Sequence, residues 1–183
     1  MALLAETIVE EWLNRQGFFT IRGAKLGVHE MDILALRWVD GQPHCRHIEV
    51  QASMRPVSYI SRVPRAGQKN GRAKNSAKRS DEELTEGVAE WVKTKFRRDD
   101  KHDLMQLLCK SEWSSELVVN VVKSDKELDL IEAAGVRIHR LSEVVRALSE
   151  KGKVVQSASG ADMADLISMG IRQAHNSIEG SQA

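Results

Sequence analysis

Apolar side chains at Leu4, Ile8, Val9, Trp12 and Leu13 follow a helical spacing, which predicts a helix with one buried face that ends at Gly17. The period then changes. "FFTIRG" (18–23), "MDILALRWV" (31–39) and "CRHIEVQA" (45–52) read as three strands, with Asp40-Gly41 turning the second into the third. Residues 53–80 hold two of the three prolines and read as loop, with a short helical turn around 58–61. Regularity returns at Ser80, which with Glu83 makes a capping box. Leu84, Val88, Trp91, Val92 and Phe96 then carry a helix to residue 98, and a short helix over 103–110 follows.

"ELVVNVV" (116–122) is rich enough in valine to be a strand buried on both faces. Ser124 and Glu127 cap a helix ending at Gly135, "VRIHRL" (136–141) is a short strand, and "SEVVRALSEK" is a helix. A strand, helix, strand run of this kind predicts a parallel crossover. Beyond Gly152 the chain is small and polar, so a weak helix over 161–174 and a mobile tail are expected. The pattern thus predicts an α/β domain over 1–152 and an extension over 153–183.

Composition narrows the function classes. No apolar run approaches the roughly 20 residues that span a bilayer, and three glutamates interrupt the amino-terminal stretch where a signal peptide needs continuity. The two cysteines, Cys45 and Cys109, form no metal or disulfide motif and read as free thiols, so a cytoplasmic location and no membrane partner are expected. The formal charge of +1 conceals an asymmetry. Arg55, Arg62, Arg65, Lys69, Arg72, Lys74, Lys78 and Arg79 lie between Val50 and Ser80 with no Asp or Glu among them. These eight of the 27 cations leave 19 against all 26 acids, a charge of −7 elsewhere. A basic segment on an acidic protein suits the phosphate backbone of a nucleic acid, and these eight residues are the candidate contacts. A merely solvated loop is the alternative.

Two strands carry an acid inside an apolar run. Glu49 and Gln51 share one face of their strand, opposite Ile48 and Val50, and Asp32 interrupts "MDILAL". A hairpin would bring Asp32 and Glu49 together, and a divalent cation with hard oxygen ligands would relieve their repulsion. Glu6 lies at the rim of the first helix's apolar face and can look inward, whereas Glu10 and Glu11 fall in its polar arc.

With these residues in order, the chain resembles the restriction-endonuclease-like, or PD-(D/E)xK, nucleases, and within them most closely the archaeal Holliday junction resolvases. The matching text is "AETIVEEWLNRQGF", "EMDILAL" and "HIEVQAS", over roughly residues 5–52, with "LVVNVV" and "AAGVRIHRLSEVV" a weaker match to the later part. The resemblance implies a restriction-endonuclease-like mixed sheet flanked by helices and Mg2+-dependent hydrolysis of DNA phosphodiesters, with Mn2+ able to substitute. It implies metal ligation by Asp32, Glu49 and the Val50 carbonyl; Glu6, from its place on the helix rim, is expected to contact the ion directly or through water. A homodimer is implied as well. Gln51 stands where the family has lysine; it can orient a water but brings no charge. Lys25 or Lys69 could stand in for that lysine.

Other constellations are weaker. Cys45, His47 and Glu49 share a strand face, yet no second ligand pair at zinc spacing exists. Trp12 and Trp91 sit at core spacing, His29 reads as a loop histidine, and Tyr59 among the cations is the candidate for stacking on a base. The expectation is a metal-dependent DNA endonuclease with Asp32, Glu49, Gln51 and Glu6 as its catalytic set. The alternatives are a nucleic-acid-binding protein that keeps this fold without turnover, and an RNA-cleaving nuclease using the same site.

Overall fold

The computed structural model describes residues 2–53 and 55–149, together with Asp162, Asp165, Leu166, Met169 and Gly170. Helix α1 (Ala2–Arg15) buries Ala5, Ile8, Val9 and Leu13, while Leu4 at the edge of that face stays exposed. Gly17, at φ 83°, ends the helix in a backbone conformation that costs glycine least. Glu11 is buried rather than in the polar arc, because Arg15 one turn on donates to it at 2.8 Å and also reaches the Leu148 carbonyl at 2.9 Å.

Strands β1 (Phe19–Leu26), β2 (His29–Val39) and β3 (Gln42–Gln51) form an antiparallel meander. Asp40 (φ 51°) and Gly41 (φ 76°) both adopt the left-handed conformation that a two-residue hairpin turn needs. The turn fixes the register, with Ile33 opposite Ile48. The chain then crosses through α2 (Arg65–Lys69), α3 (Asp81–Phe96) and α4 (Asp99–Leu108) to β4 (Trp113–Val119), which lies parallel to β3. Helix α5 (Asp125–Ala133) leads to β5 (Val136–Arg140), parallel to β4, and α6 (Leu141–Ser149) follows. The protein is therefore an α/β fold built on a five-stranded mixed sheet in the order β1-β2-β3-β4-β5.

Helices α1 and α6 cover one face of the sheet over Ile33, Ala35, Ile48, Val50 and Val118. Helices α3 and α5 cover the other over Leu117, Val119 and Val136, and Met105 of α4 joins Met31 and Leu34. The capping box at Ser80 forms with Glu83, each bond 3.2 Å. Two local expectations shift. The short helix of the basic segment lies at 65–69 rather than 58–61, and α4 starts at Asp99 rather than at 103. Of the helix expected over 161–174, Asp162, Asp165, Leu166, Met169 and Gly170 are helical and exposed, and the rest lies outside the described residues, as do the tail and the extension from 153 otherwise. Among the described residues no helix is long and apolar enough to cross a membrane.

Candidate active site

The register of β2 on β3 places Asp32 beside the end of β3, where its Oδ2 accepts the Val50 N–H at 2.7 Å. Glu49, wholly buried, points to the α3–α4 side of the sheet with His47. Asp32 and Glu49 repel. Burial and then the Glu49 charge push the Asp32 carboxyl up to about 6, against the Val50 hydrogen bond and Lys95. Glu6 is also raised, by burial and by Glu30, Glu10 and Glu49, with Arg22 opposing. The three acids expected from the sequence therefore share one electrostatic neighbourhood.

Glu49 behaves in the opposite sense. Burial would raise its pKa, yet the His47 hydrogen bond and the ammonium groups of Lys95 and Lys101 outweigh burial and bring it down to about 2. Lys95, in the last turn of α3, donates to Oε2. Lys101, in the first turn of α4, donates to Oε1 at 3.0 Å and to the carbonyls of Glu30 (3.1 Å) and Lys95 (2.8 Å). At 1% exposure Lys101 is an ammonium taken fully out of water, tolerable only because all three of its donors are matched. His47 Nε2 stands 3.2 Å from Oε1, and burial, ahead of the carboxylate's pull, lowers its pKa. His47 is thus neutral, with its proton on Nε2 facing the carboxylate and Nδ1 unpartnered among the described residues.

Neither stand-in expected for the missing lysine is the one at the site. Lys25 sits on the outer strand β1 opposite Glu30, and Lys69 ends the exposed helix α2. The positive charge comes instead from Lys95 and Lys101. A faint signal for them exists in the sequence: Lys101 stands four residues before Met105 on the buried face of α4, and Lys95 follows Trp91 by four at the rim of α3's apolar face.

Gln51 and Lys95 line a cleft of about 630 Å3 with His29, Arg62, Arg65 and Lys74. The basic segment is tied down along this cleft. Glu127 at the start of α5 accepts from Ile60 N (2.7 Å), Ser61 N (2.8 Å) and Ser61 Oγ (2.5 Å), and Gly87 of α3 lets the Arg62 backbone approach. Two of the eight cations are used internally. Arg72 pairs with Glu83 at 2.9 Å, and Arg79 donates to Ser61 and lies 4.3 Å over the Tyr59 ring. One face of the Tyr59 ring is therefore taken by Arg79. Arg55, Arg62, Arg65, Lys69, Lys74 and Lys78 are exposed and form no ion pair among the described residues.

Asp32 and Glu49 are hard oxygen donors on neighbouring strands, so in kind they fit a divalent cation. As they stand, no three His, Cys, Asp or Glu side chains among the described residues are grouped to ligate one ion. Glu6 acts on the pair through its field. A second cleft, of about 620 Å3, lies toward the other end of β3 by Cys45 and Arg46. Its buried Glu116 already pairs with Arg46, accepts from Ser114 Oγ at 2.7 Å and stands 2.6 Å from His139 Nε2, a network that holds β3, β4 and β5 together.

No protein-family model and no curated protein matches the chain. Among solved structures it is similar to one described as the crystal structure of a protein of unknown function, AF1548, at 14% identity and a TM-score of 0.44, over 78% of this chain. The chain spans 59% of the length of that protein.

Proposed function

We propose that this protein is a restriction-endonuclease-like nuclease that hydrolyses DNA phosphodiester bonds with a divalent metal ion, Mg2+ or Mn2+. The observation that carries the reading is the Asp32–Glu49 pair on neighbouring strands, with the Lys95 ammonium on Glu49 and Lys95 itself lining a cleft with Arg62, Arg65 and Lys74. Asp32 and Glu49, with the Val50 carbonyl, would hold the ion. When bound, it lowers the pKa of a water and offsets charge on the scissile phosphate. The basic cleft grips flanking phosphates, Gln51 orients a water by hydrogen bonding, and Lys95 supplies the charge that Gln51 lacks. A cytoplasmic location and a pair of copies cutting two strands in symmetry belong to the same proposal.

A second reading is a nucleic-acid-binding protein without turnover. The saturation of both Glu49 oxygens by lysines favours it. Incubation with supercoiled plasmid, linear duplex, single-stranded DNA, a four-way junction and RNA, with Mg2+, Mn2+ or EDTA, separates the two. Metal-dependent cutting that disappears in Asp32→Ala supports the nuclease. Binding without cutting, in all metals, supports the second reading.

A further inference from the structure

Glu49 is fully engaged, and its two ammonium partners are not alike. Lys101 is sealed beneath α4 and bound to two backbone carbonyls as well, so it cannot leave without unmaking the α3–α4 junction. Lys95 has a side chain 27% exposed, opens onto the cleft beside Gln51, and makes one charge-assisted bond to Glu49. Asp32, Glu49, Lys95 and Lys101 together carry no net charge. A divalent ion added to this set would place +2 beside two ammonium groups, a repulsion relieved only if one of them moves away.

We infer that Lys95 is a resident counter-ion of the site, occupying on Glu49 the place a divalent cation would take, so that ion and lysine exchange on the same carboxylate. This rests on the reading of Asp32 and Glu49 as a metal pair, but not on catalysis. The exchange makes and breaks no covalent bond: Lys95 gives up Glu49 Oε2 and swings into the cleft, where a phosphate of the substrate is the anion at hand. Lys101 stays and keeps Glu49 in place. Lys95 thereby acts twice, guarding the empty pair and then facing the substrate. Substrate phosphate, by taking up the released ammonium, would tighten metal binding, and metal would tighten substrate binding equally.

The test is the binding of Mn2+ alone, followed by calorimetry at fixed pH and salt. Lys95→Met keeps the apolar stem and removes the competitor, and it should bind Mn2+ about tenfold more tightly than the unaltered protein, the weight of one hydrogen bond to a charged group. Lys93→Met removes the same charge from an exposed position two residues earlier on α3, and it should change Mn2+ affinity much less. Adding Glu49→Gln to Lys95→Met should abolish the gain. Unchanged or weaker Mn2+ binding in Lys95→Met, an equal gain in Lys93→Met, or a gain that survives Glu49→Gln would each overturn the inference. Cleavage is a separate readout: if the unaltered protein cuts nothing, the nuclease reading falls, while tighter Mn2+ binding by Lys95→Met still upholds the exchange.

Discussion

Asp32 and Glu49 are neighbours with opposite effects on stability. The folded pKa of Asp32, about 6, stands above its unfolded value of 3.8, so its ionised form costs stability; the cost is absent below pH 3.8 and complete above about 6. Asp32→Asn keeps an oxygen for the Val50 N–H and should stabilise the protein at neutral pH by about 1–2 kcal/mol, less than the full shift because the group is part-exposed. Urea midpoints should show that gain fading as the pH falls from about 6 to 3.8. Glu49 runs the other way: its pKa is lowered from 4.5 to about 2, so its stabilisation is full above 4.5 and lost as pH falls through about 2. Glu49→Gln should cost about 3–5 kcal/mol at neutral pH, because it strands the buried Lys101 ammonium without its counter-charge. A urea midpoint that did not fall would remove Lys101 from the account. The acids themselves were legible in the sequence, since a carboxylate in an apolar strand needs a reason. The lysines were not. Long side chains reach the site from two helices that only the crossover brings over β3, and their spacing from Met105 and Trp91 is too faint to tell a solvated lysine from one folded inward.

Elements show the same division between local and tertiary information. The first helix, the β1–β2–β3 meander, the Ser80 cap and the parallel β4–α5–β5 unit follow from periodicity and capping chemistry, which act within a few residues. The path of 53–80 does not, because its fixing points are remote. Glu127 looked like a partner for Ser124; the Ser124 hydroxyl does accept the Glu127 N–H at 3.2 Å, but the carboxylate turns away to hold Ile60 and Ser61. Gly87 lies inside α3, where a Cβ would stand 2.6 Å from the Arg62 carbonyl. Gly87→Ala should therefore lift the basic segment off α3 while the helix itself gains about 1 kcal/mol of propensity. The expected signature is faster trypsin cleavage at Arg62 and Arg65 and weaker DNA binding, with the helical circular dichroism signal unchanged. Unaltered trypsin sensitivity would mean that the bonds to Glu127, Glu83 and Glu90 hold the segment without the close approach at Gly87.

At the scale of the whole molecule, the asymmetry of charge makes a quantitative claim about binding. Eight cations in 53–80 would suggest eight phosphate contacts, but Arg72 is committed to Glu83 and Arg79 to Ser61 and Tyr59, which leaves six free and three of those, Arg62, Arg65 and Lys74, on the cleft. Each phosphate neutralised on duplex DNA contributes about 0.9 to the slope of log K against log salt. The slope should then lie between about −3 and −5, short of the roughly −7 that the bare sequence would give. Arg62→Ala should lower its magnitude by about 0.9 and weaken binding alike across DNA sequences, since a phosphate contact carries no base information. Arg72→Ala should leave the slope alone and act only through the lost Glu83 pair, which as an exposed contact is worth under about 1 kcal/mol. Titrating a fluorescent duplex at several salt concentrations measures all three slopes. A slope near zero would dissociate the basic surface from nucleic acid, whereas equal losses for Arg62→Ala and Arg72→Ala would show the segment rearranging on contact, with Glu83 giving up its arginine to a phosphate.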